Sequence, residues 1–156
     1  MFEGLENLTN LILYHNTLTD LKIDVFEHMQ RLIILDLSWN NIRRIPSGIF
    51  DNLKKLNKLT LSGNKIYSIS EDAFKNNQNI YEIELQSNFL ESLPVNIFRN
   101  MPKLNYLDLH RNTLKVLPKG IFNHSNTIKS LDLSYNLLTS VDEYHNLLIL
   151  NIKIFL

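Results

Sequence analysis

The chain repeats itself every 24 residues, and a period of that length restricts it to architectures built from stacked, equivalent units. Asn16, Asn40, Asn64, Asn88, Asn112 and Asn136 form one series, and Phe2, Phe26, Phe50, Phe74, Phe98 and Phe122 form another in step with it. Aligned on these, six copies begin at Leu8, Leu32, Leu56, Ile80, Leu104 and Ile128. A partial repeat over 1–7 precedes them and an incomplete one over 147–156 follows, where Leu147, Leu150 and Ile152 imitate the opening of a copy. Residues 1–156 therefore read as one domain.

Each copy has the form L-x-x-L-x-L-x-x-N-x-L, as in Leu8, Leu11, Leu13, Asn16 and Leu18. The two-residue alternation at Leu11 and Leu13 marks a short strand with one buried face. A second apolar set (Leu21, Ile45, Ile69, Leu93, Leu117, Val141) and a third beside the Phe series (Val25, Ile49, Ala73, Ile97, Ile121) bring the chain back along the other side. Pro46, Pro94 and Pro118 follow three members of the second set, where a fixed φ suits an extended turn. One such unit cannot bury its own apolar face, so the units must stack and give one strand each to a parallel sheet. This demand explains why 29 residues are Leu and 21 are Asn. An amide that both donates and accepts satisfies backbone groups where strands end, so the aligned Asn residues predict a structural ladder.

The pattern resembles the leucine-rich repeat family, and the 24-residue unit with Pro after the second apolar position and a late Phe resembles its "typical" subclass. That subclass is known from Toll and Toll-like receptors, Slit-like guidance proteins and small leucine-rich proteoglycans. The resemblance implies an α/β-type solenoid, a right-handed horseshoe with a parallel β-sheet on the concave face and an irregular or short-helical convex side. It implies no enzyme, no cofactor, and a protein ligand or co-receptor as partner. The Cys-rich caps common on such ectodomains are missing, since the chain has no Cys. The bare ends predict exposed apolar cross-sections and a fragment of a longer, extracellular or cell-surface protein.

The side chains between the buried leucines should face the concave side and carry any binding site. Tyr14, His15, Ile34 and Trp39 make one aromatic and apolar group, and Tyr106, His110, Arg111 and Tyr135 make a second with positive charge. A column of carboxylates, Asp36, Glu84, Asp108 and Asp132, crosses the sheet, the last three on adjacent strands about 4.8 Å apart. Such spacing suits a hard cation or a glycosidase pair. An open sheet face, however, should leave these acids hydrated, and no second ligand type is expected to converge on them. His15 and His110 lie roughly 19 Å apart at that strand spacing, too far to share a metal, and His28, His124 and His145 fall on returning segments. No catalytic residue and no metal site is expected. Asn7 and Asn123 begin N-x-[ST] triplets, which become glycosylation sites only in a secreted parent.

Charge and hydropathy close off other classes. Sixteen basic side chains balance 16 acidic ones, which gives no long-range pull towards nucleic acid or anionic lipid. The sequence has no stretch of 18 apolar residues and no signal-peptide pattern at its start, so neither a membrane span nor a targeting signal is expected. Catalytic motifs such as G-x-S-x-G, the P-loop and H-E-x-x-H are absent. The expectation is a non-enzymatic recognition segment of a secreted or receptor ectodomain. The alternatives are an intracellular leucine-rich repeat scaffold or regulator, which the lack of Cys would suit, and an inactive truncated product.

Overall fold

A computed structural model describes residues 4–139 and the strand 153–155. Seven strands form one parallel sheet: β1 (Asn10–Ile12), β2 (Ile34–Asp36), β4 (Lys58–Thr60), β6 (Glu82–Glu84), β7 (Tyr106–Asp108), β8 (Ser130–Asp132) and β9 (Lys153–Phe155). Two further short strands, β3 (Arg44–Ile45) and β5 (Ser68–Ile69), pair in parallel on their own. From β1 to β8 each strand meets the next with a shift of one repeat, Leu11 opposite Leu35 and Leu107 opposite Leu131. The chain is thus a parallel-sheet β-solenoid.

The central residues of β2, β4, β6, β7 and β8 enter a continuous core. Leu35, Leu59, Ile83, Leu107 and Leu131 are fully buried, as are Leu32, Leu56, Ile80 and Leu104 one turn earlier. Phe26, Phe50 and Phe74 stack with ring centroids 6.1 and 5.9 Å apart, and Phe98 stacks on Phe122 at 5.9 Å. Near-parallel rings at this distance are in stacking contact from coil to coil. Phe2 and Val141 lie outside the described residues.

Among the described residues the return side contains no helix. Of the irregular and short-helical forms expected for the convex side, the irregular one is present, as successive turns whose amides bond three residues back: Val25 to Lys22, Glu27 to Asp24, Met29 to Phe26 and Leu32 to Met29. One such bond per turn closes the bend without propagating a helix, because each segment is only a few residues long. Pro94 and Pro118 open two of these turns, their carbonyls accepting from Ile97 and Ile121. On this side Asn77, in a column otherwise filled by Met29, Leu53 and Met101, is fully buried and donates to the carbonyls of Phe50 and Leu53 at 2.9 and 3.1 Å. Ser125 in the same column donates to Phe98.

The Asn series bridges neighbouring coils. Asn88 Nδ2 donates to Leu85 in its own coil and to Leu61 in the coil before, both at 3.0 Å, while its Oδ1 accepts from the Ile66 amide at 2.9 Å. Asn40, Asn64, Asn112 and Asn136 repeat the pattern, and Asn16 in the first coil bonds only within its own turn, to Leu13 and Tyr14. The first coil is also the least buried: Leu8, Leu11, Leu13, Leu18, Leu21 and Val25 are only partly covered, and a cavity of about 290 Å³ opens between Leu13, Leu21, Phe26 and their neighbours.

The last strand differs in register from the reading of the sequence. Ile154, not Leu150, stands opposite Leu131, so the interval there is 23 residues. Leu147, Leu150 and Ile152 themselves lie outside the described residues. The leucine-rich opening can be imitated at either offset, and pairing of β9 with β8 selects the one that places Lys153 opposite Ser130 and Phe155 opposite Asp132.

Replacing Asn88 by Ala should destabilise the chain by about 2–3 kcal/mol, because the buried Ile66 amide loses its acceptor and the carbonyls of Leu61 and Leu85, which keep Asn64 and Asn112, each lose one of two donors. The same change at the exposed Asn16 should cost less than about 1 kcal/mol. Urea unfolding of the two variants measures the difference.

Candidate functional site

The first and last residues of β1, β2, β4, β6, β7 and β8 face away from the core, and the turn after each of these strands adds two more. His15, Trp39, Ser87, Arg111 and Tyr135, each immediately before a ladder Asn, hold φ between 52 and 57°, and Gly63 in the same column has φ 64°. Non-glycine residues occupy this left-handed region only under constraint. The constraint here is the Asn beneath each of them, whose amide donates back to the carbonyls two and three residues earlier. The amides of the column also cross to the next coil, His15 to Ser38, Trp39 to Ser62 and Arg111 to Ser134. Side chains on this column are thereby turned outward: Trp39 is 54% exposed and Tyr135 75%.

The first aromatic group divides. Tyr14 and His15 pair with ring centroids 5.7 Å apart, and Ile34 lies half-buried on β2. Trp39 lies on Gly63 of the next coil, so closely that a Cβ there would come within 2.7 Å of the indole. Gly63 is therefore required twice, for its φ and for its lack of a side chain. In the second group the Arg111 guanidinium sits 5.4 Å from the centroid of the Tyr135 ring. Tyr106 is half-buried on β7, its hydroxyl 3.5 Å from Asp108 Oδ2.

The carboxylate column has two kinds of member. Asp36, Asp108 and Asp132 each accept the amide of the residue two ahead, at 2.9, 3.0 and 2.9 Å, so the repeated Leu-Asp-Leu braces the turn after the strand. Glu84 instead joins Glu82 in holding Lys58 Nζ, at 2.7 and 2.8 Å. Burial by itself would lower the Lys58 pKa, but the hydrogen bonds it donates to the two carboxylates, with their charges, outweigh it and raise the value. Burial likewise pushes Glu84 up, and the bonds from Lys58 and its neighbours bring it below the ordinary carboxylate value. Tyr106 is raised by burial first and then by the charges of Asp108, Glu84 and Glu82.

The expectation of hydrated acids with no second ligand type is corrected at β7 and β8. Asp108 is only 5% exposed, because the next coil and the His110 ring cover it. His110 Nδ1 lies 2.7 Å from Asp108 Oδ1, and one ligand atom from each of Asp108, His110 and Asp132 falls within 4.8 Å of the others. Asn7 and Asn123 are exposed, and the hydroxyl of Ser125, third in the second triplet, is bonded to the Phe98 carbonyl. His28 and His124 are exposed, and His145 lies outside the described residues.

The Asn-bridged coils can be set beside known proteins. A family model for "Leucine rich repeat" matches residues 6–66, and one for "BspA type Leucine rich repeat region (6 copies)" matches residues 43–154. The chain belongs to the leucine-rich repeat family. Leucine-rich repeat proteins generally bind other proteins and act as non-enzymatic scaffolds. The solved structure of the Leptospira interrogans leucine-rich repeat protein LIC12759 is similar over 97% of this chain, with 31% identity and a TM-score of 0.84. The leucine-rich repeat domain of APL1B is similar in fold over 83% of the chain, with 24% identity and a TM-score of 0.78. This chain spans 38% of each of those two chains. A search of curated proteins gave no match. Among the described residues, no helix is long and apolar enough to cross a membrane.

Gly63→Ala should destabilise the chain by about 1–2 kcal/mol from φ alone. It should also lift the indole of Trp39, the one Trp in the sequence, so fluorescence emission should shift towards the red. Glu84 gives a pH prediction. Its folded pKa is lowered, so the stability it adds is present above its unfolded pKa and is lost as pH falls through the folded value. Urea midpoints measured down the acid limb should fall less steeply for Glu84→Gln than for the parent chain.

Proposed function

We propose that the chain is the ligand-binding portion of a secreted or receptor ectodomain, of the "typical" Toll-like or adhesive style, and that it engages a protein partner with its sheet face. The observation that carries this reading is the outward column before the Asn ladder. His15, Trp39, Arg111 and Tyr135 are exposed there on a backbone tied down by the ladder amides, which are buried behind Trp39 and Arg111. Exposed Trp, Tyr and Arg on a fixed scaffold are the side chains that dominate protein interfaces, because they lose little entropy on binding and bury much area. Tyr14, Ile34, Tyr106 and the carboxylates Glu84, Asp108 and Asp132 complete the contact surface. The 24-residue Phe-bearing unit supports the extracellular placement, and Asn7 and Asn123 would then be available for glycosylation.

A second reading, an intracellular scaffold, is favoured by the absence of Cys. Attachment of glycan at Asn123 when the parent protein is expressed in its own cells would decide between the two. Partner capture decides the site: a protein retained by the parent chain should be lost with Trp39→Ala or Arg111→Ala, with affinity falling about tenfold or more. It should be kept with Val116→Ala, an exposed residue on the flank away from the sheet face. Retention that ignores both sheet-face changes would reject the site.

A further inference from the structure

Three side chains of two chemical kinds converge on neighbouring coils. Asp108 and Asp132 stand opposite each other in the register of β7 and β8, and His110 folds back from its turn onto Asp108. Two carboxylates and one imidazole thus bring a ligand atom each within 4.8 Å of one another.

The charge at this place is unbalanced. On the preceding coil the acidic pair Glu82 and Glu84 is neutralised by Lys58. Among the described residues neither Asp108 nor Asp132 has a Lys or Arg partner, although the Asp108 side chain is only 7% exposed. Arg111, next along the chain from His110, faces the Tyr135 ring instead. A buried carboxylate beside a second one is costly until a cation or a proton compensates it.

Donor atoms are available without dismantling the turns. Asp108 and Asp132 hold their turn amides through Oδ1. Asp108 Oδ2 has only the 3.5 Å contact with the Tyr106 hydroxyl, and Asp132 Oδ2 has no bond among the described residues. Imidazole is a poor partner for calcium or magnesium, which take oxygen ligands, but it suits first-row transition ions that also accept carboxylates.

We propose that Asp108, His110 and Asp132 form a binding site for a divalent transition-metal ion such as zinc, on the sheet face between β7 and β8. Three protein ligands leave the remaining coordination positions to water or to a donor group from a partner. The site stands independently of the protein-recognition reading. Calorimetric titration of the full chain with zinc chloride tests it, alongside His110→Gln, Asp132→Asn and the double variant His28→Gln/His124→Gln. Both sheet-face residues are partly exposed, and Asn at 132 keeps an oxygen for the Ser134 amide, so the variants should unfold at the parent's urea midpoint. The expected result is about one equivalent bound by the parent, weakening roughly tenfold or more in each single variant and unchanged in the double variant. No binding by the parent, binding insensitive to either single change, or binding lost with His28 and His124 would each overturn the assignment.

Discussion

Every coil of this molecule must turn its backbone inward straight after a three-residue strand, and the buried Asn amide is what makes that turn tolerable. Without it, one amide and one leucine carbonyl per coil would sit unpartnered in an apolar interior, such as those of Ile66 and Leu61, each costing about 1–3 kcal/mol. Asn suits the task because a single planar group donates two ways and accepts a third, reaching its own turn and the coil before it. The leucines supply the driving force for stacking, whereas the amides fix the spacing and register at which stacking is possible.

The same amides determine what the outer face can present. By drawing the turn into a left-handed kink, each Asn throws the preceding side chain outward, where it has no role in the core. Trp39, Arg111 and Tyr135 therefore vary in kind while their backbone does not. At Gly63 the column has no side chain, and the neighbouring indole lies over the space. The acidic residues are divided in a similar way between bracing and display, Asp36 and Asp132 tying down turns and Glu84 pairing across coils with Lys58.

The fold was legible in the sequence because its signals are periodic. Leu11 and its equivalents, the Asn series and the Phe series recur at a fixed interval, and that interval is the pitch of one coil. Elsewhere the signal was weak or ambiguous. Only Gly63 hints at a column of positive φ, since His15, Trp39 and Arg111 are ordinary residues for any other conformation. The return segments carry apolar residues at spacings that a turn or a short helix can equally satisfy. Leu150 and Ile154 compete for one place beside Leu131, and the stretch itself gives no reason to prefer the second. The convergence of His110 with Asp108 and Asp132 joins residues two apart in one direction and one period apart in the other, and the sense in which the imidazole folds depends on the turn that Asp108 braces.

The bridging amides all reach the same way, towards lower residue numbers. The array is therefore vectorial, and its two extremities are chemically unlike. Peeling a coil from the high-numbered side strips the remaining stack of the amide that served it, baring a peptide N–H such as that of Leu114 and leaving the Leu109 carbonyl to Asn112 alone. Peeling one from the low-numbered side breaks the backbone bonds between the two coils but leaves the side-chain amide only with spare valence, as at Asn16, which water can occupy. The side-chain amides accordingly make the loss of a coil lopsided, costlier from the high-numbered direction than from the low.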